Sequence, residues 1–182
     1  MIKKYRFAAC VIGLSVLLAG LSTNVNAAQS KGDQSLQFSG GFFHADGADS
    51  GTLNVDIGYG YYLTENWEVG ILQSLGYSFI DDADDQWVAS TIPFINYYFT
   101  GLSTDNAFQP FLGAFIGASY NEDDATGTIG PQLGFKSFIN DKTFILFKYR
   151  YEWFFDDLTI DDIKDTRSDG NHVVSLGLGF IF

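Results

Sequence analysis

Six ionisable side chains, three acids and three bases, lie in segments whose residues alternate in polarity, and each belongs to the more polar face of its segment. They are Asp56, Glu68, Lys136, Lys148, Arg150 and Glu152. Side chains that alternate along a strand share one face, and here they share it mainly with glycine and other small or polar residues. Carboxylates and cations enclosed together pair, because an unpaired buried charge is very costly. We therefore predict an ion-paired lumen charge cluster, with a narrow selective pore as the alternative.

A second group of ionisable residues is mostly acidic. Segments 45–50, 81–85, 121–126 and 156–170 contain 15 of the 22 acidic residues. Gathered carboxylates suit hard divalent cations at weak affinity. The candidate cation ligands are Asp81, Asp82, Asp84, Asp85, Glu122, Asp123, Asp124, Asp156 and Asp157. No segment has the D-x-D-x-D-G order of a calcium loop, so no metal site is defined, and we favour a solvated, mutually repelling surface.

Catalytic chemistry has little support in the sequence. Ser168, Asp169 and His172 lie close together along the chain, but their spacing establishes no geometry. The chain has neither a glycine-rich phosphate loop between a strand and a helix nor the Cys/His spacing of a metal site. We therefore expect no enzymatic activity and no cofactor.

Eight segments with two-residue periodicity must position these side chains. They lie near 35–44, 51–63, 66–80, 86–100, 107–120, 127–139, 142–155 and 171–182. Their connections alternate between turns that are short or merely polar, such as Thr64-Glu65 and Asn140-Asp141, and the acidic segments. An up-and-down barrel in an outer membrane shows this alternation of short turns and longer outer loops.

The seventh segment indicates which face of each strand lies against lipid and which lines the lumen. Lys148, Arg150 and Glu152 share one face with Phe144 and Leu146, whereas the other face, from Ile145 to Phe155, is aliphatic or aromatic. A Lys or Arg turned toward lipid near the bilayer centre costs about 2–4 kcal/mol, so the charged face should line the lumen. A secreted lipocalin-like barrel would instead place its apolar set inside. The membrane barrel is therefore favoured, although Gln73 is an exception on an apolar face.

The two ends of the chain agree with export. A basic start and an apolar run over 7–21 precede the small residues Val25-Asn26-Ala27, which predicts a signal peptide over 1–27 and one domain over 28–182. Three of the ten basic residues and no acidic residue lie within 1–27, so the remaining chain carries a charge of −15. A chain this acidic is not expected to bind nucleic acid.

Several segments resemble the strands of small OmpA/OmpW-type outer-membrane barrels. They are GYGYYLTENWEVGI (58–71), PFINYYF (93–99), QPFLGAFIGASY (109–120) and VVSLGLGFIF (173–182). The resemblance implies an all-β, eight-stranded antiparallel up-and-down transmembrane β-barrel in the bacterial outer membrane. It also implies contact with outer-membrane lipid and insertion by the outer-membrane assembly machinery through the last strand, which ends in Phe182. Divalent cations bound by the acidic segments would bridge them to lipopolysaccharide phosphates.

The resemblance brings no ligand or activity, because fold does not set function. The lipid A deacylases among small barrels carry a His-x-Ser motif, which is absent here because Val174 stands two residues after His172. We expect a structural or surface-interaction protein with a closed, ion-paired lumen. A small porin-like channel, or a conduit for ions or small apolar molecules, is the alternative.

Overall fold

Eight strands make up almost all of the structure, a computed structural model that describes residues 29–45, 51–79, 86–103, 105–121, 125–155 and 170–182. The strands are β1 (Gln34–Ala45), β2 (Gly51–Tyr62), β3 (Trp67–Phe79), β4 (Gln86–Tyr98), β5 (Phe108–Tyr120), β6 (Ala125–Phe138), β7 (Thr143–Phe155) and β8 (Asn171–Ile181). Every bound lies within two residues of the predicted segment. The predicted signal peptide over 1–27 lies outside the described residues.

The strands form one closed sheet. Each pairs antiparallel with its neighbour in sequence, and β1 pairs with β8. At this seam the backbone N–H groups of Gln34 and Phe182 each donate to the other residue's carbonyl oxygen at 2.9 Å. Closure gives the ladder of every strand a partner on both sides, which a chain crossing lipid requires. The predicted eight-stranded antiparallel up-and-down barrel is confirmed.

The outer wall of the barrel is apolar. On β2, for example, Leu53, Val55 and Ile57 are 56%, 67% and 51% exposed. Aromatic rings meet near the strand ends, where Trp67 and Tyr97 have centroids 5.0 Å apart. An apolar band with aromatic girdles is the outer surface of a transmembrane barrel. No helix within the described ranges is long and apolar enough to cross a membrane.

Gln73, the polar residue on the apolar outer wall, forms hydrogen bonds with side chains of β4 and β5. Thr91 Oγ1 donates to Gln73 Oε1 at 2.7 Å, and Gln73 Nε2 donates to Tyr120 Oη at 3.1 Å. The predicted outward position of Gln73 is therefore observed. Its amide is satisfied across β3, β4 and β5, which lowers the cost of placing it in an apolar environment.

The two ends of the barrel differ. We call the end with the connections 63–66, 99–107 and 139–142, which are short or merely polar, the turn end, and the opposite end the loop end. An apolar cluster fills the lumen toward the turn end: Tyr62, Tyr98, Ala107, Phe111, Phe138, Phe144, Leu146 and Ile181. Glycine makes room for these rings, since a Cβ on Gly179 would collide with the ring of Phe144.

Candidate functional site

An ion pair crosses the lumen next to the turn end. Glu68 on β3 and Lys136 on β6 are both fully buried, and Lys136 Nζ lies 3.3 Å from Glu68 Oε1. The hydroxyls of Ser35 and Tyr98 each donate to the Glu68 carboxylate at 2.5 Å. Lys136 Nζ also donates to Tyr62 Oη at 2.7 Å. Both charges therefore have hydrogen-bond partners within the protein, as a buried ion pair requires.

Aromatic rings enclose the same lysine. Lys136 Nζ lies 4.4 Å from the ring centroid of Tyr98 and 4.5 Å from that of Phe144. These distances allow cation–π attraction, which strengthens where water is absent. Ser35, Tyr62, Tyr98 and Phe144 surround the pair from four strands, so that with Glu68 and Lys136 themselves six of the eight strands contribute a side chain. We call this arrangement the turn-end layer.

Asp56 lies closer to the loop end, and neutral donors bind it. Asn54 Nδ2 and Ser74 Oγ donate to Asp56 Oδ1 at 2.7 and 2.6 Å, while Ser39 Oγ and Ser175 Oγ reach Oδ2 at 3.1 and 3.4 Å. In the described part of the chain it makes no ion pair. The expectation that all six charged residues would pair therefore does not hold for Asp56, because four hydrogen bonds already stabilise its carboxylate.

The three charged residues of β7 form one further ion pair. Arg150 Nη2 lies 3.2 Å from Glu152 Oε1. Arg150 Nε and Nη1 are buried without a hydrogen-bond partner, although the Phe115 ring centroid lies 5.7 Å from the guanidinium carbon. Lys148 is 5% exposed and makes neither an ion pair nor a hydrogen bond with another described residue. The six residues thus share the lumen, but only four of them pair.

The lumen opens above Arg150 into a cavity at the loop end. Its volume is about 210 Å³. The lining residues are Asn54, Ser74, Gly76, Val88, Ser90, Ser119, Arg150, Glu152, Phe154, Asn171 and Val173. We call this cavity the vestibule. It combines apolar walls with a few polar groups, as small-molecule sites do.

The nine candidate cation ligands in segments 81–85, 121–126 and 156–170 lie outside the described residues, as do Ser168 and Asp169. Within the described ranges, no group of three or more His, Cys, Asp or Glu side chains is arranged to hold a metal ion. His172 is described, and its Nδ1 lies 2.6 Å from Tyr149 Oη. Its place in β8 turns it away from the lumen, so it takes no part in the charge cluster.

Sequence reasoning missed the neutral partners of the charged residues. Asn96 lies directly opposite Glu68 in the β3–β4 register, and Gln132 Nε2 donates to Asn96 Oδ1 at 2.6 Å. Two-residue alternation does place both amides on the inner face. Only the register between strands shows which charged group each one approaches.

Several outer-membrane or surface proteins of known structure share this fold. No family model and no curated protein sequence matches the chain. Neisserial surface protein A is 14% identical, with a TM-score of 0.63 over 84% of this chain and 98% of that one. The N-terminal β-barrel domain of Pseudomonas aeruginosa OprF is 18% identical, with a TM-score of 0.54 over 85% and 100%. The P. aeruginosa outer membrane protein OprG is 12% identical, with a TM-score of 0.52 over 87% and 99%. The chain therefore has the fold of small outer-membrane barrels.

Proposed function

We propose that this chain is an integral outer-membrane barrel with a closed lumen, acting in the envelope as a structural or surface-interaction protein. The turn-end layer carries the proposal, because its fully buried ion pair and aromatic rings fill the bore between six strands. An eight-stranded barrel has an interior that side chains can just fill. A path for ions would require these groups to separate.

A second feature supports closure at the same end. Gln29, which precedes β1, is 4% exposed and donates through Nε2 to the Glu65 carbonyl oxygen at 2.9 Å. Gln109 Nε2 donates to Gln29 Oε1, also at 2.9 Å. These bonds hold the segment before β1 against the turn-end mouth, so a solute would meet a second barrier beyond the turn-end layer.

The acidic segments at the loop end are the proposed surface for contacts outside the barrel. The segments at the loop end contain most of the acidic residues, and a strongly charged surface influences which partners approach. Outer-membrane lipid and lipopolysaccharide, with divalent cations between carboxylates and phosphates, are the proposed neighbours. Replacing Asp81, Asp82, Asp84 and Asp85 by Asn should abolish any dependence of lipopolysaccharide binding on divalent cations.

Conductance in a planar lipid bilayer tests the closed lumen. We expect the wild-type protein to be silent, and Glu68→Ser/Lys136→Ser/Phe144→Ala to conduct because it removes the side chains that fill the bore. Glu65→Ser/Lys142→Ser, which alters exposed residues at the same end, is the control and should remain silent. Steady, ion-selective openings of the wild type would overturn the proposal in favour of the small channel.

A further inference from the structure

The chain contains two histidines, and closure of the barrel brings them together. His44 lies near the end of β1 and His172 near the start of β8, separated by most of the chain. In the register between β1 and β8 the two residues are directly opposite each other. Residues placed in this way share a face of the sheet, and their Cβ atoms are about 4.5–5.5 Å apart. Two imidazoles are therefore attached side by side at the loop end of the seam.

This pair lies on the outer wall, at the level of an aromatic girdle. His172 is half-buried and alternates with the buried residues Asn171 and Val173. The ring centroid of Tyr151 is 4.9 Å from that of His172 and 5.2 Å from that of Trp153. Such girdles mark the membrane–water interfaces of a transmembrane barrel. An ion in the aqueous phase can reach side chains at this level.

Two tyrosines of β7 hold the ring of His172 in position. Tyr149 Oη lies 2.6 Å from His172 Nδ1, and the Tyr151 ring meets the imidazole edge to face at an interplanar angle of 61°. A histidine that binds a metal almost always uses its other ring nitrogen for a hydrogen bond, which fixes the orientation of the ring. The contact with Tyr149 is of this kind. It would make Nε2, on the other edge of the ring, the ligand atom.

Two imidazoles select a transition-metal ion. Imidazole nitrogen suits Zn²⁺, Cu²⁺ and Ni²⁺, whereas Ca²⁺ and Mg²⁺ prefer oxygen ligands. Ligand nitrogens lie about 2.0–2.1 Å from Zn²⁺, so two of them on one ion are about 3–3.5 Å apart. Side chains that start from Cβ atoms about 5 Å apart can reach this separation. The acidic segments 45–50 and 156–170, which follow β1 and precede β8, add a negative potential that attracts cations.

We propose that His44 and His172 together bind one divalent transition-metal ion, which links β1 to β8 across the seam that closes the barrel. Cu²⁺ binds most tightly, because it forms the most stable complexes among the divalent first-row ions. The site lies on the outer wall and does not depend on a closed lumen. Metal binding and the conductance that tests the lumen are therefore independent results.

Electron paramagnetic resonance of bound Cu²⁺ tests the ligand set. The protein, without a histidine tag and in nanodiscs of phosphatidylcholine, is titrated with Cu²⁺ alone and then with Zn²⁺ or Ca²⁺ as competitors. We expect a spectrum with coupling to two imidazole nitrogens, and displacement of Cu²⁺ by Zn²⁺ but not by Ca²⁺. A spectrum with oxygen ligands alone, or displacement by Ca²⁺, would show that carboxylates bind the ion and would overturn the proposal.

Single substitutions show whether both histidines take part. His44→Gln and His172→Gln should each reduce the coupling to one nitrogen. Each should also weaken Cu²⁺ binding about tenfold or more, since the loss of an outer partner of a ligand alone costs about 10–100-fold. Glu65→Gln, which removes an exposed carboxylate at the turn end, is the control and should bind like the wild type. An affinity unchanged by either histidine substitution would contradict the pairing.

Unfolding in urea tests the link across the seam. An ion that binds only the closed barrel stabilises it by mass action, so Zn²⁺ should raise the unfolding midpoint of the wild type and of Glu65→Gln. Neither histidine variant should show this rise. A rise of equal size in His44→Gln would show that the stabilising ion binds elsewhere and would overturn the link.

Discussion

The fully buried lysine of the turn-end layer depends on a small number of contacts. Lys136 contacts one carboxylate, one phenol oxygen and a set of aromatic rings, and its side chain is fully buried. A buried charge that loses its counter-ion destabilises a protein far more than the intact pair stabilises it. The contribution of Glu68 is therefore best measured by removing the two partners separately and together.

We predict that Lys136→Met reduces the free energy of unfolding by about 3–5 kcal/mol, because it leaves the Glu68 carboxylate without its cation. Adding Glu68→Gln should recover most of this loss, since the turn-end layer of the double variant then contains no unpaired buried charge. Urea unfolding in lipid vesicles, followed by tryptophan fluorescence, measures both. Lys142→Met, at an exposed position, should change stability by less than about 0.5 kcal/mol. Additive losses in the double variant would contradict the coupling.

The hydrogen bonds of Gln73 on the outer wall predict how much stability its amide contributes. Gln73→Leu should cost less than about 1 kcal/mol, because Thr91 Oγ1 and Tyr120 Oη, 3.3 Å apart, remain within reach of each other. Leu75→Gln introduces the same amide two residues away without such partners and should cost more, about 1–3 kcal/mol. Unfolding in the same vesicles compares the two. Equal losses would show that the network does not stabilise Gln73.

Close contact between neighbouring strands depends on particular glycines. A Cβ on Gly130 of β6 would collide with the backbone carbonyl oxygen of Tyr151 on β7, whereas a Cβ on Gly40 of β1 would lie 3.6 Å from its nearest neighbour, Asn54 O. We predict that Gly130→Ala destabilises the barrel by about 1–3 kcal/mol through overpacking, and that Gly40→Ala is nearly neutral. Urea unfolding of the two variants checks this, and a neutral Gly130→Ala would be the contrary result.

The sequence was sufficient to predict the strands and their faces, but not the contacts inside the lumen. Alternation along β7 separates Arg150 and Glu152 from the apolar outer residues, because the cost of a charge in lipid enforces a strict pattern. The serine hydroxyls around Asp56 come from β1, β3 and β8, and they meet only because of the register between strands. The sequence of one strand does not show which residues of other strands lie beside it. The serines around Asp56 were therefore not foreseen, and an ion pair was expected there instead.

The described part of the barrel is asymmetric along its axis, with a filled turn end and the vestibule toward the loop end. If the loop end faces outward, a membrane-impermeant maleimide added to intact cells should label Ser119→Cys. Gln37→Cys, an inward-facing position that is 4% exposed, should not react until the barrel is unfolded. Gel mobility after labelling reports both. Labelling of Gln37→Cys in intact cells would indicate an open bore.

The β1–β8 pairing is expected to be the last of the eight strand pairings to form during folding. The other seven pairings join consecutive strands, and hairpins form within about 1–10 μs in isolation. The seam joins residues separated by most of the chain, and closing so long a loop is entropically slow. Until it closes, β1 and β8 are two exposed edges that can recruit strands from other chains. A substitution that delays any hairpin therefore prolongs the aggregation-prone interval, even if the finished barrel is no less stable.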